Sequence, residues 1–327
     1  MSDLSHYIES LMADCIGCGL CDEACPSFAH GGCSPQKIMN GEEGNVTLCI
    51  GCGNCSAVCS STHPFKVMMY MNCKASGAKI PDVFYETGFV MPAGISPART
   101  ELPYVPSGDD IYLMAGCTVE CKLPFLKYAT GTALNALGIS NSELPHATCC
   151  TFPLPFRNLS DAERDEYKLK MGAEANGRDI ITICPGCADE LKSAGVKAEH
   201  VSHIFYNNLE KISQLPGVSL KVAIEPGCAL EHFAKEFEEI VKATGATPIG
   251  NKIGCCGKSV KGISNQLMLE RQEEIKGADA VIVGCPFCTF KYDSAQNGLP
   301  ALHISELIAL AAGDSATQKY HRLKLTL

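Results

Sequence analysis

Asp179-Ile180-Ile181-Thr182-Ile183-Cys184-Pro185-Gly186-Cys187 and Ala280-Val281-Ile282-Val283-Gly284-Cys285-Pro286-Phe287-Cys288 share one pattern: an apolar run stops at a cysteine that opens a Cys-x-x-Cys pair. Ile111-Tyr112-Leu113-Met114-Ala115 before Gly116-Cys117 ends in the same way, as does Leu220-Lys221-Val222-Ala223-Ile224 before Pro226-Gly227-Cys228. Amphipathic stretches lie between these runs. Ser160 to Gly177 opens with a Ser160-x-x-Glu163 capping box and closes on glycine, and Leu230 to Gly245 and Ser264 to Gly277 read likewise. Alternating strand and helix predicts parallel α/β sheets, whose ligands belong at the carboxyl ends of the strands. Four cysteines stand at those ends.

The pattern is an internal repeat. Adjacent pairs, Cys149-Cys150 and Cys255-Cys256-Gly257, each precede a Cys-x-x-Cys by roughly one helix-plus-strand length, and a single cysteine, Cys117 or Cys228, precedes each pair. Cys117 and Cys228 are 111 positions apart, Cys150 and Cys256 are 106, and Cys184 and Cys285 are 101, so deletions fall in the second copy. Two pseudo-symmetric, Rossmann-like α/β half-domains are expected, over 110–219 and 220–327.

The N-terminal 1–75 reads differently. Cys15-Ile16-Gly17-Cys18-Gly19-Leu20-Cys21 with Cys25-Pro26 is followed by Cys49-Ile50-Gly51-Cys52-Gly53-Asn54-Cys55 with Cys59. Three thiols at two-residue intervals wrap one corner of an iron-sulfur cube, and the fourth ligand comes from the other motif. On that crossing, Cys15, Cys18, Cys21 and Cys59 hold one [4Fe-4S] cluster, and Cys49, Cys52, Cys55 and Cys25 hold the other. Zinc needs only paired Cys-x-x-Cys units and leaves the third and fourth cysteines of each motif unexplained. Covalent haem is excluded because no Cys-x-x-Cys is followed by histidine. Residues 76–109, rich in proline and glycine, are expected as a linker that docks on the surface. The fold class is thus α+β and multi-domain: a ferredoxin-type two-cluster domain, then the two α/β halves.

With 327 residues, the chain has room for about two or three cores. Its 21 cysteines demand disulfides, zinc or iron-sulfur chemistry. The polar, acidic N-terminus lacks a secretory signal, which argues against disulfides and for a cytoplasmic protein. No apolar run reaches the ~18 residues of a membrane span, so any membrane association runs through a partner. A formal charge of −9 argues against nucleic acid as a partner.

At Cys149-Cys150, Cys184, Cys187 and the second set, the chain resembles the cysteine-rich "CCG" domain of the catalytic subunit of heterodisulfide reductase. The module order resembles forms in which a ferredoxin subunit is fused to it. The spacing of the N-terminal motifs is similar to the α-helical ferredoxin domains of heterodisulfide reductase and succinate dehydrogenase iron-sulfur subunits. The tail Leu302-His303-Ile304-Ser305-Glu306-Leu307 looks like the segment closing the CCG domain. The resemblance implies two non-cubane [4Fe-4S] clusters, one on Cys117, Cys149, Cys150, Cys184 and Cys187, the other on Cys228, Cys255, Cys256, Cys285 and Cys288. It further implies reduction of a disulfide between them, plausibly that of coenzyme M and coenzyme B in methanogenesis, with electrons arriving singly from the ferredoxin clusters.

Two departures stand out: Thr151 replaces the glycine after Cys150, and the second copy has 26 and 28 residues between its cysteine groups where the first has 31 and 33. Zinc is the competing reading for the ten repeat cysteines. Cys33, Cys73 and Cys121 remain outside the sets and read as small buried residues, with Cys121 one turn after Cys117. Lys258 and His146, beside the cysteine pairs, are candidate proton donors to product thiolates. No Gly-x-Gly-x-x-Gly fingerprint is present, so a flavoprotein subunit is the expected electron donor within a larger redox complex. The alternative function is an electron-transfer subunit for a flavin-dependent glycolate, lactate or succinate dehydrogenase, or for a quinone-linked complex.

Overall fold

The computed structural model describes residues 2–92, 97–251, 255–257, 260, 262–294 and 299–325. The chain divides into two packing units. One contains Met1–Pro81, Phe152–Arg164 and Cys255–Leu269; the other contains Asp82–Thr151, Asp165–Gly254 and Glu270–Leu327.

The first unit is helical among its described residues. Ser2–Ala13 and Pro64–Ser76 are its long helices, and Leu20–Glu23, Pro26–Ala29, Pro35–Met39 and Asn54–Ala57 are single turns between them. The short turns follow from the sequence: Cys25 and Ser34 cap helices whose first residue is proline, which needs no N–H partner there. Ile8, Leu11, Ile38, Met39, Val67 and Met68 close the core.

Among its described residues the second unit has eight strands: β1 (Ile111–Met114), β2 (Asn141–Glu143), β3 (Ile180–Thr182), β4 (Ala198–His200), β5 (Lys221–Glu225), β6 (Thr247–Asn251), β7 (Ala280–Val283) and β8 (Ala301–His303). They form two parallel four-stranded sheets, ordered β2-β1-β3-β4 and β6-β5-β7-β8. The strand order reverses between β1 and β3, and between β5 and β7. Such a switch point opens a crevice at the carboxyl ends of the strands. The predicted central strands are these four, and the Ser160/Glu163 capping box forms, with the Ser160 N–H donating to Glu163 Oε2 at 2.7 Å and the Glu163 N–H to Ser160 Oγ at 3.3 Å.

Reciprocal contacts relate the halves. The helix Phe125–Ala136 of the first packs on Ile304–Ala311 of the second, and their counterparts Ala234–Ala243 and Val201–Tyr206 pack on each other. Pro185–Ser193 likewise meets the 3-10 turn Cys228–Phe233, while Pro286–Asp293 meets Cys117–Lys122. This exchange of partners is the mark of a pseudo-twofold axis. One apolar core, from Ile111 and Ile181 through Val222 and Ile282 to Leu325, runs through both halves.

The proline-rich stretch after residue 76 is ordered where described. It forms the short helices Asp82–Thr87 and Pro97–Glu101. Phe84 is buried, its ring edge-on to Tyr167. The Gly88 carbonyl accepts the Cys149 N–H at 2.8 Å.

Candidate metal centre

In the helical unit, Cys15, Cys18, Cys21 and Cys59 line one recess, so the last cysteine of the second motif joins the first three of the first. Burial, then the nearby charges of Cys52, Cys25 and Cys21, hold the Cys55 thiol above the ordinary range. Cys33, which the sequence left as filler, contributes a fifth thiol here. It is buried, its N–H donates to Ser27 Oγ at 3.1 Å, and its thiol hydrogen-bonds with Cys25 and Cys49. Cys73, by contrast, donates to the Ala78 carbonyl at 3.5 Å, an ordinary core contact.

In the α/β unit, the strand ends gather the first repeat set. Cys117 follows β1, Cys184 follows β3, and these strands flank the switch point. Cys117 Sγ and Cys149 Sγ lie 3.9 Å apart. The Cys149 thiol is held well above its usual range by hydrogen bonds with Cys117 and Cys150. Cys187 is raised in turn by hydrogen bonds with Cys150 and Cys184. The five thiols thus form one continuous chain, buried but for the half-buried Cys184. Gly116 makes room for it: its φ is 80°, and a Cβ there would come within 3.0 Å of Cys187 Sγ.

Cys228, Cys285 and Cys288 repeat the arrangement after β5 and β7. Gly227, with φ of 99°, stands where Gly116 does, and its missing Cβ would meet Cys288 Sγ at 3.5 Å. Cys255 and Cys256 are buried within the other packing unit. The two sets touch at the axis. Cys184 is lowered by hydrogen bonds from Cys187 and Cys285, and Cys285 is pushed up to about 11 chiefly by its bond with Cys184. These two cysteines exchange places under the pseudo-symmetry.

Behind them sit two imidazoles, those of His200 and His303. His200 Nε2 is 3.0 Å from the Ile183 carbonyl, and His303 Nε2 is 3.1 Å from the Gly284 carbonyl, the residues just before Cys184 and Cys285. Each Nδ1 accepts a helix N–H at 3.3 Å, from Ser202 or Ser305. Nδ1 therefore carries the lone pair and Nε2 the proton, and burial favours this neutral form by lowering both pKa values. A doubled Ala-x-His-x-Ser, at 198–202 and 301–305, was the signal in the sequence.

Among the remaining candidates, Cys121 donates to the Met91 carbonyl at 3.1 Å, and His146 is exposed with φ of 49°. Lys258 lies outside the described residues. Zinc would draw thiols to about 2.3 Å of one centre. Among the described residues no three His, Cys, Asp or Glu side chains converge so. A polynuclear cluster spreads its ligands, and soft thiolate donors in a buried pocket suit iron and sulfide.

Comparison with known proteins identifies the domains that carry these cysteines. The 4Fe-4S dicluster domain matches residues 8–60, and the cysteine-rich domain matches twice, at 111–192 and 222–292. The chain is an iron-sulfur protein of the class that joins a dicluster ferredoxin domain to a doubled CCG domain. It is similar to one subunit of the ferredoxin/F(420)H(2)-dependent CoB-CoM heterodisulfide reductase of Methanosarcina acetivorans, with 28% identity over 267 residues, covering 62% of this chain and 89% of the relative. The corresponding subunit of the ferredoxin:CoB-CoM heterodisulfide reductase of Methanosarcina mazei is 27% identical over 270 residues, covering 63% and 90%. Among the described residues no helix is long and apolar enough to cross a membrane.

Proposed function

We propose that this chain is the disulfide-reducing subunit of a cytoplasmic redox complex. Two ferredoxin-type [4Fe-4S] clusters, on Cys15, Cys18, Cys21 and Cys59 and on Cys25, Cys49, Cys52 and Cys55, relay electrons to two non-cubane [4Fe-4S] clusters. Cys117, Cys149, Cys150, Cys184 and Cys187 hold one of these; the second set is Cys228, Cys255, Cys256, Cys285 and Cys288. When bound, the clusters would supply one-electron storage and an iron site for sulfur. The substrate is a small disulfide, of which the coenzyme M–coenzyme B heterodisulfide is the candidate offered by the relatives. It takes two electrons and two protons, and its S–S bond gives two thiols. Electrons come from a flavoprotein subunit.

The observation that carries this reading is that Cys184 and Cys285 end equivalent central strands of the two halves, whose anchoring histidines His200 and His303 meet with ring centroids 6.1 Å apart. Two equivalent strand ends that meet at an axis suit a substrate whose two reacting atoms are themselves alike. The chain's own groups prepare that meeting point: Gly116 and Gly227 leave space beside the sulfurs, and His200 and His303 anchor the strand ends.

The test is anaerobic reconstitution with iron and sulfide, followed by an assay with reduced viologen. Disulfide-dependent viologen oxidation with release of two thiols is expected. A fully loaded protein that ignores disulfides, but passes electrons to or from a flavin dehydrogenase, overturns the proposal in favour of an electron-transfer subunit.

A further inference from the structure

The departure after the first cysteine pair is itself informative. Thr151 is fully buried, and its Oγ1 has no hydrogen-bond partner among the described residues. Its φ is 65°, a left-handed conformation that a β-branched residue rarely adopts. The equivalent residue after the second pair is Gly257, whose φ is 75°. There a Cβ would come within 2.7 Å of Ser264 Cα, so only glycine fits. The two turns thus share one backbone shape, and the first carries a side chain that the second cannot.

That side chain is unfavourable on two counts. Threonine strains the left-handed turn, and an unpaired hydroxyl in a dry interior forfeits the hydrogen bonds it made with water. Valine would avoid the second penalty and glycine the first. A hydroxyl kept at both costs, directly after Cys150, indicates a partner that the described residues do not supply. The group held by the neighbouring thiols supplies one, since its sulfides and thiolates accept hydrogen bonds.

We propose that the Thr151 hydroxyl donates a hydrogen bond to a sulfur of the cluster held by Cys117, Cys149, Cys150, Cys184 and Cys187, so that the two disulfide-facing clusters differ in potential. The inference rests on the cluster assignment of the proposed function. A donor to sulfur stabilises the more negative, reduced state and raises the potential. The cluster beside Thr151 is therefore the easier of the pair to reduce, and Gly257 offers its counterpart no such side-chain donor.

Thr151→Val keeps the shape and the strain while deleting the hydroxyl; Thr151→Ser keeps the hydroxyl. Iron content, redox titration followed by electron paramagnetic resonance, and melting of the metal-free protein are read for both. The valine variant is expected to load as much iron as wild type, to shift one cluster's midpoint to lower potential, and to melt higher than wild type when metal-free, because an unpaired hydroxyl has gone. The serine variant is expected to titrate as wild type does. Unchanged potentials in an iron-replete Thr151→Val protein overturn the inference and leave the proposed function standing. A wild-type protein that takes up no iron overturns both.

Discussion

The rings of His200 and His303 meet edge to face at the pseudo-twofold axis, with centroids 6.1 Å apart and planes at 74°. Each is the last residue of an edge strand and the N-cap of the following helix, and each anchors the carbonyl of the residue before a strand-end cysteine. The pair ties two strand ends to two helix starts with four hydrogen bonds, all out of water.

Replacing either histidine by leucine orphans a buried carbonyl and a helix N–H. An unsatisfied buried group costs about 1–3 kcal/mol. His200→Leu and His303→Leu are each expected to lose stability by at least that much in denaturant unfolding of the metal-free protein. The two losses should not add in the double variant, because the rings touch. Strict additivity would show that the halves hold their strand ends independently.

Gly116→Ala and Gly227→Ala separate space from backbone conformation. Both impose a side chain at positive φ, for about 1–3 kcal/mol. Only at Gly116 does the new Cβ also press on a thiol, at 3.0 Å from Cys187 Sγ against 3.5 Å to Cys288 Sγ for Gly227. Iron uptake should fall further in Gly116→Ala than in Gly227→Ala; equal losses would mean that the thiols yield freely.

Cys33 tests the ligand assignment in the ferredoxin module. It touches Cys25 and Cys49 but stands outside both motifs. Cys33→Ala is expected to keep the full iron content, whereas Cys25→Ala loses one cluster's iron. A Cys25→Ala protein that keeps all its iron, with loss only in the double variant, would place Cys33 among the ligands.

A buried ionic group fixes the end of the second half. His321 Nε2 lies 2.8 Å from Glu306 Oε1, and its Nδ1 lies 3.3 Å from Asp293 Oδ1. Burial alone would lower the His321 pKa, but Glu306 and Asp293 outweigh it and push it up to about 10. A raised pKa means stability that is fully present below the unfolded value near 6.5 and lost as pH rises towards 10. Glu306, whose burial is outweighed by His321, is held below 4.5, so its share is lost on acidification. The melting temperature should decline from about pH 6.5 upward, and His321→Gln should flatten that decline. Removing the cation outright with His321→Ala leaves Glu306 buried and unpaired, at about 3–5 kcal/mol.

What could be read from the sequence follows burial. The central strands β1, β3, β5 and β7 were visible because they are mostly buried and their runs mostly apolar, wholly so in Ala280–Val283. Edge strands such as Asn141–Glu143 and Ala198–His200 have three residues, some of them charged, and look like loop until a neighbour pairs with them. The cysteine sets were legible because metal chemistry constrains spacing. The partnerships of Cys33 and His321 and the conformation of Thr151 were not, since they arise from contacts between residues distant in sequence or from the shape of a single turn. Thr151 shows the limit well: the sequence marks a missing glycine, and only the backbone shows that the left-handed turn survives without it.

The hydrogen bond from the Cys149 N–H to the Gly88 carbonyl fastens the segment that follows the ferredoxin module to the cysteine pair of the first half. Both residues belong to one packing unit, so the segment is built into the half-domain whose cysteine pair it meets. In one chain the local concentration of the segment is set by the tether and not by expression level. Carried on one polypeptide, the dicluster domain and the doubled cysteine-rich domain are made in a ratio of one to one.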